Sequence, residues 1–177
     1  MNGSGTIWVQ KRDGGVENFD SLKLVGAVSR AVRPANGRCG CAPPIAAAIE
    51  LFCRRSGCAC VSSAAVFEMT VKAMRCVRLE TGAEAMESHR TWRARRRRQL
   101  RVSHEGGQVT MWDKSWLCEL AQRSWRLSRS AARIIAGRLE CELLAGPDEL
   151  LWRGAVVDML NAHVAACGLA DAVPAHQ

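Results

Sequence analysis

The sequence predicts an α+β protein that is mostly α, with an N-terminal β-hairpin followed by four helices and then a smaller, mainly helical unit. Three observations lead to this prediction: a β-prone segment that turns back on itself near residue 14, later segments with apolar residues at helical spacing, and a second half that echoes the first. A chain of 177 residues has room for one or two domains. We expect two, over residues 1–100 and 101–177.

The first predicted elements are a hairpin and the helix that it leads into. Residues 6–9 are β-prone, residues 13–15 (Asp-Gly-Gly) are typical of a tight turn, and residues 16–19 return antiparallel. Asp20 is a good helix N-cap. The residues after it place apolar side chains on one helical face: Leu24, Val28, Ala31 and Val32.

Three more helices are predicted after the first, which ends before Pro34. The second covers about residues 45–55, with two prolines at its start and a glycine after its end. The third begins after Ser62 or Ser63 and stops near Thr81. The fourth begins there and continues into a run of arginines.

A loop at residues 103–107 separates the first half from a weaker copy of it. We interpret the second half as a shortened duplicate, although chance similarity between alanine-rich helices remains an alternative. Its four tryptophans suit either a core or a contact surface, and we favour the core: Trp112, Trp116, Trp125 and Trp152. Three pairs of segments match, with a separation that drifts from 93 to 86 residues: 13–20 with 105–113, 65–69 with 155–159, and 82–85 with 168–171.

The net charge of +8 comes from one segment. Without its seven arginines the charge falls to +1: Arg90, Arg93, Arg95, Arg96, Arg97, Arg98 and Arg101. Such a run can bind the phosphates of a nucleic acid, for which Arg93, Arg95, Arg96, Arg97 and Arg98 are the candidates. It can equally be a solvated helix end that pairs with acids of its own protein or of a partner.

The nine cysteines do not indicate a disulfide framework or a metal site. No apolar signal peptide or membrane span is evident, so we expect a cytoplasmic protein in which thiols stay reduced. The pairs Cys39/Cys41 and Cys58/Cys60 could supply four thiolates. They flank the second helix, however, and its length of about 16 Å keeps them too far apart for one zinc ion.

Residues 9–23 carry the chemistry that points to a ligand. Lys11 and Arg12 lie on the hairpin turn, and Lys23 lies in the first turn of a helix, where free N–H groups and the helix dipole favour an anion. A phosphate chain fits three such cations. Glu17 could accept a hydrogen bond from an amino group on a base. The alternative is a polar hairpin turn with solvated charges.

The pattern V-x-K-R-D-G-x-x-E-x-F-D-x-x-K, which runs from Val9 to Lys23 without a gap, resembles the N-terminus of the ATP-cone. This regulatory nucleotide-binding module occurs in many ribonucleotide reductase large subunits and in the repressor of ribonucleotide reductase genes. The resemblance covers about residues 5–100. It implies a hairpin lid over a four-helix bundle that binds ATP or dATP, with Mg²⁺ accompanying the nucleotide.

The resemblance also implies a role for each matching residue. Val9 and Phe19 would wall the base, and Glu17 would read its amino edge. Ser63 would lie near the phosphates, which three cations would hold: Lys11, Arg12 and Lys23. Phe67 departs from the pattern, because some members have a histidine facing the phosphates at this position.

No catalytic constellation is evident, and we therefore expect a binding protein rather than an enzyme. The leading hypothesis is a sensor of ATP or dATP that signals through oligomerisation or through a partner, with a ribonucleotide-reductase-related protein suggested by the resemblance. The second is a nucleic-acid-binding regulator that uses the arginine run. The third is a helical scaffold with a decayed nucleotide site. In the second half the lysine–arginine pair and the glutamate are missing, so we expect no nucleotide there.

Overall fold

The computed structural model describes residues 6–11, 14–33 and 39–169. Within these ranges the protein is mostly helical, as the sequence predicts, and it contains two small sheets. The chain divides into two compact units, Met1–Thr91 and Trp92–Gln177. This division lies earlier than the predicted boundary at residue 100 and falls inside a helix. None of the described helices is both long enough and apolar enough to cross a bilayer.

The first unit begins with a hairpin and contains a third strand between two helices. Its described elements are β1 (Trp8–Gln10), β2 (Val16–Asn18), α1 (Ser21–Val32), a short 3-10 turn (Cys39–Cys41), α2 (Ala42–Arg55), β3 (Cys60–Ser62), α3 (Ser63–Cys76) and α4 (Glu80–Gln99), which crosses into the second unit. The second unit continues with β4 (Arg101–Ser103), β5 (Val109–Met111), α5 (Lys114–Trp125), α6 (Arg129–Ala145), β6 (Leu150–Trp152) and α7 (Arg153–Ala166).

Each unit contains one three-stranded sheet of mixed direction. β1 lies in the middle of the first sheet, antiparallel to β2 and parallel to β3. β4 has the same place in the second sheet, with β5 antiparallel and β6 parallel. The sequence analysis did not predict β3 or β6, because a strand of three residues is too short to show an alternating pattern.

Helix caps fix where α1 and α3 begin. The Asp20 carboxylate accepts from the backbone N–H groups of Leu22 (3.0 Å) and Lys23 (3.2 Å), which confirms the predicted cap. At α3 the cap is Ser62, whose hydroxyl accepts from the Ala65 N–H at 3.0 Å. Ser63 is therefore the first residue inside the helix and not its cap.

The predicted end of the third helix, near Thr81, is wrong. α3 ends at Cys76, and Arg78 takes a left-handed conformation with φ of 62°. The chain turns there, and α4 begins at Glu80, so Thr81 lies inside α4. A glycine would have marked this turn in the sequence, whereas arginine gives no such signal.

Each unit has its own hydrophobic core. In the first unit α2 packs against α1 and α3. The largest fully buried side chains there are Val28, Val32, Val71 and Met74. In the second unit α6 packs against α5 and α7, and the core includes Trp112 and Trp125, with Trp116 at its margin. Trp152 does not join it, because 49% of this residue is exposed.

The hairpins and first helices of the two units match position by position. Across the turns, the Lys11 N–H donates to the Gly15 carbonyl at 2.7 Å, and the His104 N–H donates to the Gln108 carbonyl at 2.8 Å. Matched residues are thus 93 positions apart. The helices α1 and α5 turn the same positions inward: Leu24, Val25, Val28 and Val32 match Leu117, Cys118, Ala121 and Trp125.

From the second helix onward the separation is 90. α2 and α6 bury the same positions: Ala42, Ile45, Ala46, Ile49 and Cys53 match Ala132, Ile135, Ala136, Leu139 and Leu143. The turns after α3 and α7 also match, since Arg78 and Gly168 both have positive φ and both donate to the carbonyl three residues earlier. The similarity between residues 82–85 and 168–171 therefore pairs Gly82, inside α4, with Gly168, at the turn after α7. Residues 170 and 171 lie outside the described residues.

Candidate functional site

The candidate site lies at the edge of the first sheet where β1 and β3 both end. Their parallel pairing places Ser62 beside Gln10. Lys11 and Ser63 are the next residues along the two segments, so the start of α3 lies at the same edge as Lys11. The first turn of a helix has unpaired backbone N–H groups and the positive end of the helix dipole. This edge therefore combines two features that attract an anion.

Lys11 also belongs to a cluster of three charged side chains. The Glu17 carboxylate lies 2.6 Å from the Lys11 ammonium and 3.4 Å from the Lys23 ammonium. Lys23 also lies 3.8 Å from the Asp20 carboxylate. Partial burial raises the pKa of Glu17, but the hydrogen bond and charge of Lys11, together with Lys23, outweigh it, so this pKa is lower than that of an ordinary glutamate.

The cluster has a direct consequence for phosphate binding. Both lysines are paired with carboxylates, so a phosphate chain would have to displace Glu17. The side chain of Lys23 is 60% exposed and those of Lys11 and Glu17 are 28% exposed. Ion pairs in contact with solvent contribute only about 0 to 1 kcal/mol each. Exchange of the carboxylate for a phosphate therefore costs little free energy, although both lysines must first leave their carboxylate partners.

The two apolar residues assigned to the base lie on the inward side of the hairpin. Val9, Glu17 and Val61 form one row across the sheet, and this row faces the helices. Val9 is only 6% exposed, so the fold itself covers it. Phe19 is half-buried against the core of the first unit. Arg12 lies outside the described residues.

The face of α3 that follows Ser63 carries an aromatic ring and a cation. Phe67 is one helical turn beyond Ser63, and its ring packs against the core. The Arg90 guanidinium lies 4.2 Å from the centre of that ring and also donates to the Glu68 carboxylate at 3.1 Å. In the sequence, Arg90 stands out only as part of the arginine run. Its position over the Phe67 ring shows that this α4 cation belongs to the first unit and lies against the face of α3 that also carries Ser63.

The matching positions of the second unit carry different chemistry. His104 stands where Lys11 stands, and its Nε2 lies 2.8 Å from the hydroxyl of Thr110, which matches Glu17. Trp116 replaces Lys23. The Arg153 guanidinium, which matches Ser63, lies 5.4 Å from the Trp116 ring. An aromatic side chain with a cation over it therefore occupies the place of the lysine cluster.

Much of the arginine run binds the second unit itself. Arg97 donates to both oxygens of Glu140, at 2.8 and 2.6 Å, and Arg93 donates to the same carboxylate at 2.6 Å. The Trp112 indole N–H adds a fourth hydrogen bond at 3.2 Å. Glu140 is fully buried, and such an acid needs charged partners to remain ionised.

Two further arginines of the run hold backbone carbonyl groups. Arg96 donates to the carbonyls of Leu144 (3.2 Å), Gly146 (2.6 Å) and Asp148 (3.1 Å), at the turn after α6. Arg101 donates to the carbonyls of Arg98 and Leu100. Of the five nucleic-acid candidates, Arg93, Arg96 and Arg97 thus have structural partners. Arg95 and Arg98 are exposed, and neither has a side-chain partner within the part of the chain that is described.

The cysteine pairs lie at the two ends of α2. Cys41 immediately precedes this helix, and Cys58 and Cys60 follow it. Within residues 6–11, 14–33 and 39–169, no group of three or more potential ligand residues is close enough together to hold a metal ion.

In the comparisons with known proteins, no family model matches the chain, and no curated protein matches it.

Proposed function

We propose that this protein is a cytoplasmic regulator that binds ATP or dATP in its first unit and has no catalytic activity. The proposal is carried by the cluster in which Lys11 and Lys23 share Glu17, together with the parallel register that brings the start of α3 to the strand end that Lys11 follows. Two cations and a helix N-terminus suit a triphosphate, which Mg²⁺ would accompany. The unbroken ATP-cone-like pattern from Val9 to Lys23 supports the same ligand.

The proposed architecture is a hairpin lid over the four helices of the first unit, followed by a duplicated unit that has lost the nucleotide site. Matching strand order, turn hydrogen bonds and buried positions support the duplication. Loss of the site in the second unit is supported by Trp116 and Arg153, which stand at the positions of Lys23 and Ser63.

The cluster suggests how binding would be sensed. Without ligand, Glu17 pairs with Lys11 and Lys23 and holds the hairpin against the start of α1. A triphosphate would take both lysines, and the released carboxylate could accept a hydrogen bond from the amino group of adenine. These are two arrangements of the lid with different affinities for the nucleotide, which is the requirement for a ligand-driven switch.

The first experiment is a thermal melt of the full chain with ATP, dATP and GTP. A ligand that binds only the folded state stabilises it by RT ln(1 + [L]/Kd), so saturating ATP or dATP should raise the melting temperature. Absence of any shift at millimolar concentrations would reject nucleotide sensing and leave the third hypothesis, a helical scaffold with a decayed site. Phe67, at a position where some ATP-cones have a histidine, and the paired lysines favour that alternative.

Replacing both lysines tests the site itself. We expect Lys11→Ala with Lys23→Ala to weaken ATP binding by about 2 to 5 kcal/mol, since charge-assisted hydrogen bonds contribute roughly 1.5 to 3 kcal/mol each. Isothermal titration calorimetry measures the loss. Lys72→Ala, which removes an exposed lysine of α3, is the control and should bind ATP normally. Equal binding by the double variant and the control would refute the assignment.

Signalling is proposed to occur through self-association or through a partner, for which the resemblance suggests a ribonucleotide-reductase-related protein. Sedimentation velocity with and without ATP or dATP tests the first route directly. A nucleotide-dependent change in mass would support it, whereas an unchanged mass would leave partner binding.

Nucleic-acid binding is the second candidate function, and the exposed Arg95 and Arg98 favour it. Its affinity would fall steeply with salt, because each neutralised phosphate releases counterions. With only two of the five candidate arginines free of structural partners among the described residues, we expect a slope of about −2 in a log-log plot, using roughly −0.9 per contact. No measurable binding would exclude this function.

A further inference from the structure

The outer face of the second sheet is apolar and open to solvent. Val102 and its neighbours in the adjacent strands, Thr110 and Leu151, face the core, so the alternate residues point outward. Four large apolar residues on that face are about half exposed or more: Val109 (51%), Met111 (62%), Leu150 (59%) and Trp152 (49%). They lie on the two outer strands and flank Arg101 and Ser103 of β4.

The first sheet shows that the fold does not require these residues. Its matching outer positions are Asn18, Cys60 and Ser62, where the second sheet has Met111, Leu150 and Trp152. Only the valine at the fourth position, Val16 or Val109, is the same in both. At the central strand the difference is reversed, since the exposed Trp8 of the first sheet (43%) stands where the second has Arg101. On the two outer strands, however, the second sheet has three more large apolar residues, and the shared strand order and register do not account for them.

Trp152 replaces a residue that stabilises the first unit. Ser62 caps α3, whereas Trp152 stands at the N-cap of α7 and makes no side-chain hydrogen bond there. The following helix also begins with a glycine in its first turn: a Cβ on Gly154 would lie 2.8 Å from the Trp152 Nε1. The indole thus rests directly against the backbone at Gly154. Where the first unit has a capping serine, the second unit therefore has an exposed tryptophan beside a helical glycine.

Charge indicates what kind of molecule would cover this face. Arg101 lies at its centre, between Met111 and Leu150. Its guanidinium donates to two backbone carbonyls, which do not neutralise it, and among the described residues it has no carboxylate partner. The unit also has the exposed Arg95 and Arg98, and the whole chain carries a net charge of +8. A partner with carboxylates would complement this charge.

Two other occupants fit less well. A second copy that packed the same face against itself would bring Arg101 against Arg101, and like charges at the centre of an interface are unfavourable. A single-stranded nucleic acid needs several aromatic rings on which successive bases can stack. This face offers only Trp152, beside three aliphatic side chains.

We propose that the outer face of the β4–β5–β6 sheet binds an acidic protein segment. Its apolar side chains would cover Met111, Leu150 and Trp152, and a carboxylate would pair with Arg101. Tryptophan and arginine are the residues that most often dominate binding at such interfaces. This inference concerns the second unit and does not rest on nucleotide binding by the first.

The test is selection of peptides from a random display library on the immobilised full chain, followed by fluorescence anisotropy of the synthetic peptides. We expect enriched peptides that combine apolar residues with net negative charge and whose affinity decreases with salt. Met111→Asn with Trp152→Ser, which introduces the residues of the first sheet, should weaken their binding at least tenfold. Because the introduced serine restores a helix cap, this variant should not melt at a lower temperature than the native chain.

Two more variants control the result. Arg101→Gln should weaken the same peptides and reduce their salt dependence, whereas Val16→Ser, on the outer face of the first sheet, should bind them normally. No enrichment, enrichment of basic peptides, or unchanged binding by the double variant would overturn the proposal. The proposal would also be overturned if acidic peptides failed to bind and the native chain instead bound an oligothymidine strand, or formed a dimer in sedimentation, through this face. Loss of that binding or of the dimer in the double variant would show that this face is responsible.

Discussion

The two units of this protein share their strand order, turns and buried positions, but they carry different side chains at the positions of the candidate site. Their hairpins close with the same backbone hydrogen bonds, and their helices bury the same positions. At the site positions, however, Lys11, Glu17 and Lys23 in the first unit become His104, Thr110 and Trp116 in the second. The frame therefore depends on apolar spacing and turns, while ligand chemistry depends on a few surface positions that can change independently.

The two matched glutamates show how much such a change can matter. Glu50 of α2 and Glu140 of α6 are 90 positions apart. Glu50 is partly exposed and pairs with Arg54 on its own helix at 2.6 Å. Glu140 is buried and is held by Arg93 and Arg97. The same residue at the same place is a surface charge in one unit and the centre of a buried network in the other.

The largest expected effect is the loss of Glu140. We expect Glu140→Ala to destabilise the second unit by roughly 2 to 4 kcal/mol. This is below the ~3 to 5 kcal/mol of a fully buried pair, because Arg93 and Arg97 stay partly solvated. Urea unfolding followed by tryptophan fluorescence measures it. Glu50→Ala, the matched control, should cost at most about 0.5 kcal/mol. Equal losses in the two variants would contradict the comparison.

The buried Glu140 also predicts that the stability of the second unit depends on pH. Burial raises the pKa of Glu140, but the hydrogen bond and charge of Arg97, together with Lys114 and Trp112, lower it by more than burial raises it. The pKa of Glu140 in the folded protein therefore lies below the ordinary 4.5. The unfolded chain then binds a proton at higher pH than the folded one. Stability from this group is present above about pH 4.5 and is lost as the pH falls through the folded pKa.

Acid unfolding curves of the native chain and of Glu140→Gln test this dependence. The variant should lose stability less steeply below about pH 4.5, because it has no proton to bind at this position. Parallel curves would show that Glu140 does not govern acid stability.

Exchanging the caps should produce opposite effects in the two units. Ser62→Ala removes the acceptor of the Ala65 N–H, and we expect a loss of about 1 kcal/mol from the first unit. Trp152→Ser supplies a cap that α7 lacks, and the second unit should become more stable, by less than about 1 kcal/mol. Calorimetric melting of each variant measures both changes. A loss in both would mean that Trp152 contributes more to folding than a cap does.

The smallest effect is expected at Glu17. Glu17→Gln should change stability by less than about 1 kcal/mol, because its ion pairs are in contact with solvent. Inorganic tripolyphosphate should bind a few-fold more tightly, since the lysines lose their carboxylate partner. The preference for ATP over GTP should fall, by about 0.5 to 1.5 kcal/mol for one hydrogen bond. Calorimetric titrations with the three ligands would contradict the proposed switch if every affinity were unchanged.

Local rules made part of the fold predictable. The glycine turn, the Asp20 cap and the apolar spacing of α1 each act within a few residues, and each is present in the structure. The strands β3 and β6 were missed because they are short and pair with strands about 50 residues away. The end of α3 was missed because the turn uses Arg78.

The candidate site was predictable in position but not in electrostatic state. The sequence placed Lys11, Glu17 and Lys23 near one another, because all three lie on a hairpin and the helix that follows it. It did not reveal that Glu17 contacts both lysines, since their distances depend on rotamers and on the packing of the hairpin. The role of Arg90 depends on α4 lying beside α3, which no local pattern predicts.

Local backbone preferences and the spacing of apolar residues are enough to predict the hairpin, the helical segments and the similarity between the two halves. Which charges are paired depends instead on how distant segments pack together. The arginine run looks like one uniform basic surface in the sequence, yet Arg93 and Arg97 bind an acid more than 40 residues away, while Arg95 and Arg98 stay exposed. A charge acts according to its neighbours in space, and folding sets those neighbours.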